Sequence, residues 1–365
     1  MALSRRTPYR VSRLKRGGQP ANKRMDQSSR GAGPVVYGSK HVAAPCRSCA
    51  AVRPQTYLTS LARYYEPYRD SMTHGSCRVP TNFGYMNLAG GLGELRLPFD
   101  RIGKGDIEPL DLSHMKFCDP AGTVALSAYA ATAARKLKRP LPLQGWDSGS
   151  YLSRVGFKSL AGYRDDFPRT RLDSDRLTSL IEVATAKERQ SARKDVLNVL
   201  GVHHVGARMV LDYCLEEMLR NVEDHADSPV NALLQAQYYD NRKQVVMAIA
   251  DTGYGILHSL RQRHQSIADD EEALKNALKA GVSGRNTRKG TNAGLGLTVS
   301  SSLVTKMGGT FQLVTGDTML EMTKTTQTMR KLGQTRWPGV IVVMLVPRND
   351  SLDWEGTFEE VMGAI

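Results

Sequence analysis

Glu217 and Asn221 stand four residues apart in Glu217-Met-Leu-Arg-Asn221, followed by Asp251-Thr-Gly253-Tyr-Gly255 and then Gly294-Leu295-Gly296-Leu297. Each residue type suits a different part of one chemistry. The amide oxygen of Asn221 is a hard ligand, suited to a Mg²⁺ ion that bridges phosphates. Glu217 can act as general base toward a water or a hydroxyl. A buried carboxylate at Asp251 can accept the exocyclic N–H of adenine, and Gly253 and Gly255 let the backbone approach the base and turn away. Gly294, Leu295 and Gly296, ahead of Leu297, would offer free N–H groups at a helix start to phosphate oxygens. Together these residues fit ATP with Mg²⁺.

The elements that must hold them are legible around them. Val205–Glu223 reads as a helix, and a spacing of four puts Glu217 and Asn221 on one face. The apolar run Gln244–Ala250 reads as a buried strand that delivers Asp251 to its end. Leu297–Met307 reads as the phosphate helix, and the segments 308–314 and 339–346 as the last two strands of the sheet. Between Gly255 and Gly294 the connection is long for a plain loop. It holds a helix near Ala268–Ala280 and then Gly281-Val-Ser283-Gly-Arg285-Asn-Thr-Arg288-Lys289-Gly290. That run suits a mobile lid bringing Ser283 and a cation such as Arg285 to a triphosphate; which cation makes the contact is left open. Glu216 reads as a surface carboxylate.

At 365 residues, the chain can bury two sizeable cores. Its charge of +14 is unevenly spread. Residues 1–40 hold ten Lys/Arg and one acid, Asp26, so the pI describes a tail more than a domain. Residues 1–55, poor in aliphatics, read as a disordered basic arm. The arm is Arg- and Ser-bearing and acid-poor, like an organellar transit peptide, and could also touch nucleic acid, but Tyr9 is its one aromatic in the first 30 residues, which argues against stacking recognition. No apolar run is long enough to span a bilayer. Five cysteines at irregular spacing fit a reducing, cytoplasmic setting. Cys46-x-x-Cys49 and His74-x-x-Cys77 have the pairwise spacing of a zinc site, although the gap between the pairs exceeds that of compact fingers; stray thiols are the plainer reading.

Upstream, Gly90–Leu97 reads as a strand with a bulge, since no Lys-Ser/Thr follows its glycines. Pro109–Leu112 and Pro140–Leu143 read as short strands around an Ala-rich helix, Thr123–Lys138, with Tyr151–Phe157 closing the unit. This alternation suggests parallel strands with a crossover helix. The segment 166–200, with an apolar stripe at Leu177, Leu180, Ile181 and Val183, reads as a connecting helix.

In order and spacing, residues 205–348 resemble the GHKL superfamily of gyrase, chaperone, sensor-kinase and mismatch-repair ATPases. They are closest in style to the anti-sigma-factor kinases. The resemblance implies a Bergerat-type α/β sandwich, ATP with Mg²⁺ on Asn221, and a ligand role for His225, one turn after Asn221, where packing is the equal alternative. Many relatives carry Gly-Thr where this chain has Gly339-Val340, which weakens the adenine contact set. Residues 90–160 resemble the STAS domain of anti-sigma-factor antagonists. That family places a phosphorylatable Ser directly after the Asp of its helix-opening turn; Asp119-Pro120-Ala121-Gly122 has no hydroxyl there, leaving Thr123 as a poor substitute. A docking or structural module is the favoured reading of this half.

The expected fold is therefore α+β: a basic arm (1–55), a STAS-like α/β domain (56–165), a connecting segment (166–200), a GHKL domain (201–350) and a C-terminal tail (351–365). No long helical hairpin with a phosphoacceptor histidine precedes the site, so a two-component sensor is disfavoured. The expectation is an ATP-binding regulator with slow hydrolysis, acting on a protein partner through the STAS-like half. Alternatives are a Ser/Thr protein kinase of anti-sigma type or an ATP-dependent nucleic-acid-associated component. Relatives of the anti-sigma type pair as homodimers, but no interface pattern in the chain fixes one.

Overall fold

In chain order the elements are two short strands, β1 (Cys77–Arg78) and β2 (Asn82–Phe83), helices α1 (Leu88–Leu95) and α2 (Phe99–Ile102), and strands β3 (Leu110–Asp111) and β4 (Phe117–Cys118). Helix α3 (Pro120–Leu137), strand β5 (Leu143–Gln144) and the short helices α4 (Tyr151–Val155) and α5 (Phe157–Leu160) complete the upstream half. Then come β6 (Ile181–Val183), α6 (Ala186–Val199), α7 (Val205–His225), β7 (Ala232–Tyr239), β8 (Gln244–Ala250), α8 (Ile256–Arg261) and α9 (Asp270–Ala277). The chain finishes with α10 (Gly296–Lys306), β9 (Thr310–Gly316), β10 (Thr318–Met322), β11 (Gln327–Lys331), β12 (Trp337–Pro347) and α11 (Trp354–Gly363). This computed structural model describes residues 77–102, 104, 107–164, 176–199, 205–279, 282, 295–348 and 351–364. The arm and most of the zinc-spaced set (Cys46, Cys49 and His74) lie outside the described residues. Cys77 is inside them, as a buried strand residue.

The main sheet is antiparallel throughout, in the order β11-β10-β9-β12-β8-β7-β6. Strand alternation gives it two apolar faces. Leu234, Val245, Met247, Ile249, Leu313, Val342 and Met344 pack under α7, α10 and α11. Leu233, Val246, Ala248, Ala250, Val314, Ile341 and Val343 face the other way, into a core shared with the upstream half. Helix α3 lies against that second face, over β7 and β8. It is buried without a break from Pro120 to Ala134, as a helix apolar all round must be when it forms an inner layer. Beyond it, β1, β3 and β5 form a small parallel sheet, with Leu110 opposite Leu143. The expected strand–helix–strand crossover is thus present. Asp119 opens α3 as its N-cap, accepting from the N–H groups of Ala121 (2.8 Å) and Gly122 (3.3 Å), with Pro120 at the first helical position.

Four expectations are corrected. Gly90–Leu97 is not a strand: Leu88–Leu95 is a helix, whose glycines permit tight packing. A Cβ at Gly91 would lie 2.8 Å from Cε2 of Phe83, and one at Gly93 2.9 Å from the Leu332 carbonyl oxygen. The stripe around Ile181 and Val183 is an edge strand, and among the described residues of the connecting segment the helix is Ala186–Val199. The two final strands are separated by a hairpin, β10–β11, that the sequence did not suggest. The C-terminal segment forms α11, capped by Asp353, which packs on α7 and α10.

Candidate nucleotide-binding site

Helix α7 buries Ala207, Val210, Leu211, Cys214, Leu215, Met218 and Leu219 on the sheet. That stripe leaves the line through Glu217 and Asn221 half-buried at its flank. The opposite flank meets α6 through ion pairs. Arg193 holds Asp212 with two bonds (2.7 and 2.6 Å), and Arg189 reaches Glu216 at 3.1 Å. Glu216 is therefore no free surface carboxylate; it joins α7 to α6, while Glu217 points elsewhere.

Where Glu217 lies is fixed by α10. A Cβ added to Gly296 would sit 3.2 Å from both Cβ and Cδ of Glu217 and would collide with Oε2. The carboxylate thus rests against the first residue of α10, close enough that a methyl group there would make it shift. Leu295 precedes this helix with no side-chain cap on its N–H groups, and Leu297 is half-buried against the core. Ser283, Arg285 and Gly294, with Arg288 and Lys289, lie outside the described residues, as does the side chain of His225.

At the far end of α7, β8 delivers Asp251, which is 1% exposed. Its Oδ1 accepts from the N–H of Gly253 (2.8 Å) and its Oδ2 from that of Val340 (3.2 Å). Burial pushes its carboxyl up to about 7, with the two N–H groups pulling the other way. Each oxygen keeps lone-pair capacity for one further donor. The turn after it closes on α7: a Cβ at Gly253 would strike the Ala226 carbonyl, which accepts from the N–H of Tyr254 at 2.6 Å. The Tyr254 ring stacks on His258, with centroids 4.1 Å apart.

Two residues of this turn's support escaped the sequence reading. Thr315, fully buried on β9, accepts from the N–H of Ile256 (3.1 Å) and donates to the Gly339 carbonyl (3.0 Å); a Cβ at Gly255 would lie 2.7 Å from its Oγ1. It stands directly across the ladder from Val340. That cross-strand pairing, which no local motif announces, is what marks Thr315 as part of the turn's support. Trp337 donates its indole N–H to the Asp251 carbonyl at 2.9 Å.

The segment from Glu217 to Ala226 spans about 13 Å along the helix axis at 1.5 Å per residue. One helix edge thus separates a carboxylate beside a helix N-terminus from a carboxylate at a glycine turn, a separation suited to the phosphate and base ends of one nucleotide. Helix α9, the second after the Asp251 turn, is tied down independently. Asp270, at the start of α9, is buried and paired with Arg336, which also approaches Asp317 at 3.7 Å. Among the described residues no cluster of His, Cys, Asp and Glu has the form of a metal site, and no helix is long and apolar enough to cross a membrane.

No curated protein and no solved structure matches the chain. A family model does match: residues 206–339 fit that of the histidine kinase-, DNA gyrase B- and HSP90-like ATPases. Its limits take in α7 with Glu217 and Asn221, the Asp251 turn and the start of α10. The match and the geometry together support placing this part of the chain in the GHKL superfamily of ATP-binding domains.

Proposed function

We propose that the chain is an ATP-binding regulator that hydrolyses ATP slowly with Mg²⁺, and whose nucleotide state is read by a protein partner through its STAS-like upstream half. The observation that carries the reading is the placement of Glu217 against the first residue of α10, with the Asp251 turn packed on Ala226 just past the C-terminus of α7. In this reading Asp251 accepts the adenine amine, and the N–H groups at Leu295 and Gly296 receive phosphate oxygens. Glu217 takes the proton of the attacking water. The donor set fits Mg²⁺, since the Asn221 amide oxygen is a hard ligand on the same helix face; bound there, the ion would neutralise phosphate charge. The glycine-rich segment with Ser283 and Arg285 would close over the triphosphate. Packing of the upstream half against the second face of the sheet supports a route by which nucleotide state reaches a partner.

The test is incubation of the purified chain with γ-labelled ATP and Mg²⁺, beside Glu217→Ala and Asp251→Asn. Release of free phosphate, lost in Glu217→Ala, supports hydrolysis. Label transferred to a co-purified protein would favour the kinase alternative, and failure of the wild type to bind ATP would end the reading.

A further inference from the structure

Strand alternation carries information about the residue after Asp251. Ala250 faces the α3 side of the sheet and Asp251 the α7 side, so Thr252 turns back toward α3. It is fully buried there, and its Oγ1 lies 2.8 Å from Oγ1 of Thr132, on α3, 120 residues away in sequence. Thr132 also donates to the Ala128 carbonyl at 2.7 Å. A hydroxyl has one proton to give, so the proton between the two threonines is the one Thr252 supplies. The backbone N–H of Thr252 is fixed separately, on Ser228 Oγ at 3.1 Å. A second contact reaches the same turn from the same side. Trp337, whose indole holds the Asp251 carbonyl, packs edge-to-face on Phe99 (5.3 Å), which packs edge-to-face on Tyr129 of α3 (5.2 Å). The turn that presents Asp251 on one face of the sheet is thus gripped from the other face by the upstream half.

We propose that Thr132 is a positioning residue for Asp251, so that the upstream half sets nucleotide affinity from the face of the sheet opposite the nucleotide. The inference rests on the reading of Asp251 as the base-binding carboxylate. Its physical content is linkage: if docking of α3 biases the turn toward its binding geometry, bound nucleotide must favour docked α3 by the same factor. Thr132 touches no substrate; it acts through Thr252 and the peptide that joins Thr252 to Asp251.

The test measures the dissociation constant of ATP with Mg²⁺ for the full chain and for Thr132→Val, Thr132→Ser and Ser127→Ala, with thermal midpoints alongside. Ser127 lies on the same helix without reaching the turn, which makes it the control for damage to α3. Losing one hydrogen bond is expected to weaken binding about two- to tenfold in Thr132→Val. Thr132→Ser should restore it and Ser127→Ala leave it unchanged. A lower thermal midpoint in Thr132→Val with unchanged affinity would make Thr132 merely structural and overturn the proposal. Should Thr132→Val fail to fold, hydrogen exchange on the wild type decides: added ATP should slow exchange in 128–137, and unchanged exchange there refutes the coupling. Absence of ATP binding by the wild type removes the site reading and this inference with it. Binding by the wild type with equal affinity in all variants removes the inference alone.

Discussion

Gly296→Ala tests the joint between α7 and α10. The new methyl carbon would lie 3.2 Å from Cβ and Cδ of Glu217 and nearer still to Oε2. Heavy atoms settle at about 3.5 Å, so the carboxylate oxygen has to retreat by roughly 1 Å. The end of a half-buried glutamate moves easily, and alanine favours a helix over glycine by about 1 kcal/mol, so the fold should survive with its thermal midpoint little changed. A base displaced by about 1 Å from its reacting water is expected to cost on the order of 10²-fold in turnover. Asp251 and the base end of the site are untouched, so ATP affinity should fall only a few-fold. Phosphate release over a range of ATP concentrations separates the two effects. A large drop in kcat with a small change in KM is the expected outcome. Wild-type turnover in Gly296→Ala would refute the assignment of Glu217 as the base held against α10.

The carboxyl of Asp251, pushed up to about 7 by burial, gives a pH signature. An adenine N–H favours the ionised form, so ATP affinity should rise as pH approaches about 7 and level above it, a rise that Asp251→Asn should lack. For the free protein the sign is opposite: stability is fullest below the unfolded-state value near 4 and declines as pH rises from about 4 to about 7, which thermal melts against Asp251→Asn would reveal. Arg336→Ala leaves Asp270 buried without its nearest cation and should destabilise by about 3 kcal/mol, read as a lower urea midpoint, with a smaller loss in Asp270→Asn. Gln235 is fully buried with neither amide atom partnered among the described residues, so Gln235→Met should raise the urea midpoint by the equivalent of about 1 kcal/mol.

The parts of the candidate site that lie close together in sequence could be proposed from it. Glu217 and Asn221 needed only helix periodicity, and Asp251 only a buried strand ending in glycines. Thr315 could not be found that way, because what marks it is a cross-strand neighbour, Val340, 25 residues on. Thr132 is further still: its partner Thr252 lies in another layer of the fold. Local sequence points away from the α1 helix because its glycines lower helix propensity, while the close packing on Phe83 and Leu332 that favours glycine there exists only in three dimensions. The β10–β11 hairpin went unseen because β11 is mostly exposed and shows no apolar alternation. The upstream crossover was legible, but that its helix caps the second face of the main sheet was not.

The most direct test is photolabelling with azido-ATP and Mg²⁺, followed by mapping of the labelled peptides. The account predicts label at the Asp251 turn or the facing start of β12, suppressed by excess ATP and lost in Asp251→Asn. Label confined elsewhere, or unaffected by ATP, would contradict it.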